Sequence, residues 1–200
     1  MFYPFSERNK EILPHDPFKA IIAPRPIGWI SSVSSQGHIN LAPYSFFNAL
    51  ANSPPILAFC SGEKKDSVSF IEETGEFTWS LSTYDLRFEM NATGASLPRG
   101  QNEFEHAGLE MAQSKLVKPP RVARAPAAME CKLIEINHLR DMHGTLTENY
   151  LVIGQVIGMY IDDDFILDGR FDTAKAAPLA RCGYSDYASA SDLFSVQRPK

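Results

Sequence analysis

Three stretches of this 200-residue chain group residue types that chemistry can use. The first is Ala23-Pro-Arg-Pro-Ile-Gly-Trp-Ile-Ser-Ser-Val-Ser. Pro24 and Pro26 hold Arg25 extended and limit its freedom. Ser31, Ser32 and Ser34 place hydroxyls on both faces of the strand-like run that follows. The second is Asn40-Leu-Ala-Pro-Tyr-Ser-Phe-Phe-Asn-Ala-Leu. Ser45 and Asn48 are three apart, so a helical turn would set them side by side. Tyr44, Phe46 and Phe47 surround the pair with flat apolar surface. A polar pair among aromatics suits a planar heterocycle with a polar tail. The third is Ser61-Gly-Glu-Lys-Lys-Asp-Ser-Val-Ser-Phe, a loop that runs into a helix. A helix N-terminus offers free N–H groups and partial positive charge, which suit a phosphate. Lys64 and Lys65 add charge and Ser67 a hydroxyl. Asp66 would repel an anion, so it reads as a residue that caps the helix and organises the loop.

Each stretch also has a plain structural account. The serines fit an edge strand with solvated hydroxyls, and the aromatics fit an amphipathic turn that fills a core. The lysines fit a solvated approach to an ordinary surface helix. Other chemistry finds less footing. His15, His38, His106, His138 and His143 show no HExxH or Cys-linked spacing, so no zinc site is expected. Asp162-Asp163-Asp164 lacks the glycine and distal glutamate of a calcium loop and reads as a solvated turn. No GxSxG elbow and no GxGxxG after a strand occurs. Cys60, Cys131 and Cys182 are odd in number and widely spaced, which argues against a disulfide framework and for a reducing compartment.

The elements that must position these stretches are mostly strands. Runs with β-branched, alternating character span 19–23, 27–34, 56–61, 77–82, 129–139 and 150–161. Gly154 and Gly158 inside the last run mark bulges of the kind barrel curvature needs. Helical signals lie between, after Asp66, over 86–92, and after Asn102, where Phe104, Leu109 and Met111 share a face. Helices inserted between hairpins, without strict alternation, predict a mainly β (α+β) architecture: an antiparallel barrel with peripheral helices.

Composition is that of an ordinary globular chain, 44% hydrophobic and 22% charged. No internal repeat or long linker appears, so residues 1–200 read as a single domain. The net charge of −5 lacks the basic surplus of a nucleic-acid binder. No apolar run nears the ~20 residues of a membrane span, and the N-terminus has no apolar signal core. A cytoplasmic protein without nucleic-acid or membrane partners is the expectation.

Taken in order, the motifs resemble the flavin reductase-like proteins of the FMN-binding split-barrel class. The resemblance begins at Leu13-Pro-His-Asp-Pro-Phe and Pro24-Arg-Pro-Ile-Gly-Trp-Ile-Ser. It continues through Asn40-Leu-Ala-Pro-Tyr-Ser-Phe-Phe-Asn and Lys65-Asp-Ser, and closes on Arg181-Cys-Gly-Tyr-Ser-Asp-Tyr. It implies a six-stranded, Greek-key-like split β-barrel, a homodimer, and FMN (or FAD) held near the dimer interface. NADH or NADPH would be the electron donor, and a separate oxygenase a possible recipient of reduced flavin. By motif position Ser45, Asn48, Lys65, Asp66 and Ser67 belong to the phosphate and ribityl part. Ser31, Ser32 and Tyr44 lie along the flavin with Trp29 nearby, and Phe47 joins the cofactor-contacting set. Arg25, Arg181 and Tyr187 occupy family-typical positions. Because flavin itself carries hydride chemistry, no catalytic acid, base or nucleophile is expected.

The chain departs from the pattern at Ser67, where threonine is usual, and at Cys182 and Tyr184 in the closing motif. Tyr184 is bulkier than the glycine expected there. Three functions stay open at this stage. They are an NAD(P)H-dependent flavin reductase, a flavoredoxin-like electron-transfer flavoprotein without a nicotinamide site, and a non-enzymatic barrel that binds another ligand such as haem.

Overall fold

The computed structural model describes residues 1–199. Its frame is a seven-stranded antiparallel ladder: β1 (Gly28–Val33), β2 (Ile39–Tyr44), β3 (Phe47–Asn52), β4 (Pro55–Gly62), β5 (Glu76–Ser80), β6 (Ala127–Arg140) and β7 (Leu146–Ile161). The strand order is β2-β1-β5-β6-β7-β4-β3. The two ends of this order, β2 and β3, are joined by only two residues, Ser45 and Phe46. The sheet must therefore curl until its ends approach without pairing, and that is a split barrel. The Cys60 N–H donates to the Phe46 carbonyl at 2.8 Å, continuing the β3–β4 pairing up to the turn. Tyr44 lies against Phe59 with ring centroids 4.6 Å apart.

The bend is built into β7. Its register on β6 shifts between Ile153 and Gly154 and again between Val156 and Gly158, as the two glycines predict. The β6–β7 hairpin turns where the Asp141 carboxylate accepts from the backbone N–H groups of His143 and Thr145, both at 2.9 Å. Inside the curl, Ile30, Leu57, Phe59, Val68, Ile71, Phe77 and Val152 form one core. Helix α1 (Asp66–Thr74) closes it, burying Val68, Phe70 and Ile71. On the opposite face of β1, Trp29, Leu41, Leu86, Met90, Phe104 and Val122 form a second core. It is covered by α2 (Arg87–Ala92) and α3 (Glu103–His106). A small sheet of Arg25–Pro26, β8 (Leu179–Gly183) and β9 (Asp186–Ser189) flanks it.

Several expectations change here. The Ser45–Asn48 stretch is no helical turn, because Asn48 enters β3 and pairs with Ala58. β2 also lies outside the strand-like runs, and with the run at 19–23 lost the ladder counts seven strands rather than six. The run at 19–23 has no sheet partner and holds a single helical turn, Phe18–Ile21. The serines of β1 do not lie on an edge. β1 is flanked by β2 and β5, and all six of its residues are buried between the two cores. The helix after Asn102 stops at His106, capped at its start by the Asn102 side chain and followed by Gly108 at φ 66°. Neither Asp66 nor Ser67 caps α1. Lys65 stands at the N-cap position, and Asp66 sits in the first turn. No helix among the described residues is long and apolar enough to cross a membrane.

Candidate functional site

Three cavities that share lining residues form a groove between β2 and the peripheral elements. At one end is a cavity of about 400 Å3 lined by β2, the N-terminus of α1, and the loop 93–99. Through Pro43 it adjoins a smaller cavity of about 180 Å3, lined by Ile27, Ser45, Met90, Arg181 and Tyr187. Met90, Arg181 and Tyr187 in turn border a third cavity of about 520 Å3.

The first cavity brings anion-binding groups to one wall, with Asp66 and Glu103 also in its lining. Backbone bonding within α1 begins at Ser69, whose N–H reaches the Lys65 carbonyl at 3.0 Å. The N–H groups of residues 66–68 therefore have no partner within the helix. Lys65 lines the same wall, and so do Ser96 and Arg99 from the facing loop. Arg99 is held there by Asp66, with Nε 3.4 Å from Oδ1. Asp66 thus acts as an anchor for a cation.

Beneath the cavity runs a buried polar chain. Ser67 donates to the Asn40 side-chain carbonyl, and the Asn40 amide donates to Glu103 at 3.1 Å. The Leu41 N–H donates to the second Glu103 oxygen at 2.9 Å. The Ser67 hydroxyl proton is thus committed, and the residue fixes the helix start against β2. The Tyr44 phenol is pushed up from its ordinary value chiefly by burial.

Burial also raises the Glu103 carboxyl, despite the bonds it accepts and with Asp66 adding repulsion. A folded pKa above the unfolded value means the folded chain holds more protons between the two values, so stability falls as pH rises through that window. The stability of the parent relative to Glu103→Gln should therefore increase as pH is lowered from 7 through the carboxylate range. Paired thermal melts check this. A difference that stays flat with pH would contradict it.

Of the residues singled out in the sequence, Tyr44, Lys65, Asp66 and Ser67 meet at the first cavity. Ser45, Arg181 and Tyr187 meet at the second. The other six lie elsewhere. Trp29 is fully buried one layer behind, where its Nε1 donates to Thr93 at 2.9 Å. Thr93 donates to the Met90 carbonyl at 2.7 Å and lines the first cavity, so Trp29 acts on the groove through that loop. Ser31 bonds the Pro120 carbonyl inside the fold. Ser32 is buried with its hydroxyl unpartnered, away from the groove lining. Arg25 donates to the carbonyls of Lys19, Ile22 (2.7 Å) and Cys182 (3.2 Å), tying residues 19–22 to β8. Phe47 stacks on Trp79 at 5.8 Å and presses on Gly28, where a Cβ would come within 2.7 Å of its ring. Asn48 is exposed on the β3 edge, accepting from the Ala49 N–H at 2.8 Å.

The sequence reading missed the loop Thr93-Gly-Ala-Ser and Arg99. Its one signal was a run of small residues followed by an arginine, which no spacing rule links to Lys65. Tyr184, the departure from the closing motif, sits at φ 48°. That left-handed conformation explains why glycine is the residue expected there. The Tyr184 carbonyl accepts from Arg181.

Comparison with known proteins places these features in context. A family model described as the flavin reductase like domain matches residues 22–175. An uncharacterized protein of Deinococcus radiodurans is 33% identical over 192 residues, covering 90% of this chain and 82% of that protein. The solved structure of nitrilotriacetate monooxygenase component B from Bacillus cereus superposes with a TM-score of 0.87 at 28% identity, covering 98% of each chain. A Shewanella frigidimarina protein with a split barrel domain gives 0.85 at 21% identity over the whole of both chains, a likeness that shows the fold alone.

Proposed function

Because this chain belongs to the flavin reductase-like family, we propose that it binds FMN in the groove and works as an NAD(P)H-dependent flavin reductase. The observation that carries this reading is the polarity of the groove. A polar, N–H-rich cavity, where Lys65, Arg99 and the α1 N-terminus stand beside Asp66 and Glu103, adjoins a smaller one whose wall is mainly Pro43, Ile27, Met90 and Tyr187, with Ser45 and Arg181. One end fits a phosphate and the other a planar ring system.

In this reading Lys65, Arg99, Ser96 and the free amides of residues 66–68 hold the phosphate. Tyr44 and Ser45 lie along the polar chain between phosphate and ring, and Arg181 and Tyr187 border the ring. The chemistry supplied by bound FMN is acceptance of hydride from NADH or NADPH and delivery of reduced flavin. The chain's own contribution is position. Pro43, Met90 and Tyr187 fix the plane of the ring and exclude water from one side, and the Thr93–Trp29 bond fixes the loop that carries Ser96. Orientation of this kind can supply much of a hydride-transfer barrier without an acid or base.

Two further expectations join the reading. The exposed β3 edge, with Leu50 at its centre, and the apolar side chains of Phe2, Phe5 and Ile21 support a homodimer. The likeness to an oxygenase component B supports a separate oxygenase as recipient of reduced flavin. The test is titration of the protein into FMN, followed by flavin fluorescence. Saturable quenching at one FMN per chain is expected. No change in fluorescence at micromolar concentrations would refute flavin binding in this groove.

A further inference from the structure

Two carboxylates line the first cavity, and only Asp66 has a cation beside it. Glu103 is 7% exposed and takes its side-chain bonds from neutral donors, the Asn40 amide and the Leu41 N–H. Among the described residues no lysine, arginine or histidine pairs with it. The charged and titratable groups that share its cavity are Asp66 and Lys65 from α1, Arg99 from the facing loop and the Tyr44 phenol from β2. Its own helix adds Glu105 and His106. Burial, with repulsion from Asp66 added, favours the neutral form of Glu103. A phosphate that enters this cavity brings further negative charge to a carboxylate without a cation.

That charge sets the direction of the hydrogen-bond chain. An ionised carboxylate only accepts, so Asn40 turns its nitrogen to Glu103 and its oxygen to Ser67, and the Ser67 proton is committed to Asn40. A neutral carboxyl carries a proton on the oxygen that faces Asn40, while its other oxygen still accepts from the Leu41 N–H. With its amide turned over, Asn40 accepts from Glu103 and donates to Ser67. The Ser67 hydroxyl, which lines the cavity, is then free to donate. We propose that Glu103 is a proton-linked switch for phosphate binding. It takes up a proton from solvent as the phosphate enters, reverses the Glu103–Asn40–Ser67 chain, and turns the Ser67 hydroxyl onto the ligand. Glu103 is a positioning residue in this account, because it acts through Asn40 and Ser67. The proposal rests on reading the first cavity as the phosphate end of the flavin groove.

Glu103→Gln fixes the reversed chain, because the glutamine nitrogen donates to Asn40 while its oxygen accepts from Leu41. The folded variant should bind FMN about tenfold more tightly than the parent at pH 8, through one added hydrogen bond to a charged group and one repulsive charge removed. The gap should close as the pH is lowered toward 6. Riboflavin, which lacks the phosphate, should show no gap. A second measurement needs no variant. Calorimetry of the parent at pH 7, in buffers of different ionisation heat, should show net proton uptake with FMN and none with riboflavin. The phosphate itself, with a second pKa of about 6, can only release protons beside Lys65 and Arg99, so its own titration does not mimic uptake. Equal or weaker FMN binding by folded Glu103→Gln at pH 8, a gap that riboflavin shares, or FMN binding without proton uptake would overturn the proposal. Failure of the flavin reading looks different, because neither flavin would bind.

Discussion

FMN should bind the double variant Lys65→Ala, Arg99→Ala about a hundredfold more weakly than the parent. Both cations line the cavity at the α1 N-terminus, and Arg99 is aimed there by Asp66 at 3.4 Å. A charge-assisted hydrogen bond to a phosphate contributes about 1.5–3 kcal/mol when shielded. The Arg99 side chain is 66% exposed, so solvent screening lowers each contribution to about 1–1.5 kcal/mol. Together they amount to about 2–3 kcal/mol, or roughly 30- to 140-fold in affinity. Neither residue borders the ring end of the groove. Turnover at saturating FMN should therefore change by no more than a few fold, and Lys65→Ala alone should follow the same pattern with a smaller loss. Fluorescence titration and steady-state rates on the same preparation separate the two effects. Unaltered FMN affinity would remove both residues from the phosphate site.

Gly154→Ala should destabilise the fold by about 3 kcal/mol. The cause lies in β7, where a Cβ on Gly154 would come 2.4 Å from two ring atoms of Phe77 and 3.3 Å from the Lys132 carbonyl. Phe77 cannot yield. It is fully buried, packs edge-on against Phe59 at 5.8 Å, and sits in the core that α1 closes. Gly158→Ala is the internal control, four residues along the same strand. There the Cβ meets the end of Leu116 at 3.0 Å, a flexible side chain exposed to solvent. Its cost should stay below about 1 kcal/mol. Urea denaturation of the two variants against the parent reads the contrast, and equal stabilities would contradict the packing account.

Much of the barrel was legible from alternation and glycine placement. The runs at 56–61, 77–82, 129–139 and 150–161 fall on β4 to β7, and the β7 bulges fall at the glycines that signal them. Local pattern failed where distant segments decide the outcome. Ser31 reads as an exposed strand hydroxyl, yet its partners are Thr78 and Pro120, far along the chain. Ser45 and Asn48 share helical spacing, but pairing with β4 draws Asn48 into a strand. Residues 19–23 look like a strand and lack a neighbour to pair with.

The candidate site divides the same way. Lys65, Asp66 and Ser67 were legible because a helix N-terminus is a local feature. Arg99 and the 93–96 loop were not, because only the fold brings them opposite α1. Arg25 and Trp29 carry motif weight, and the structure places both in supporting layers. Arg25 bonds three carbonyls, and Trp29 pins Thr93.

The central claim is that this groove holds a flavin that a nicotinamide nucleotide reduces. The most direct measurement is the visible absorbance of the FMN-reconstituted protein under anaerobic conditions, on addition of NADH and then of NADPH. The account predicts that the flavin bands bleach with at least one of the two, faster than free FMN does under the same conditions. Bands that persist with both nucleotides and bleach only with dithionite would contradict it.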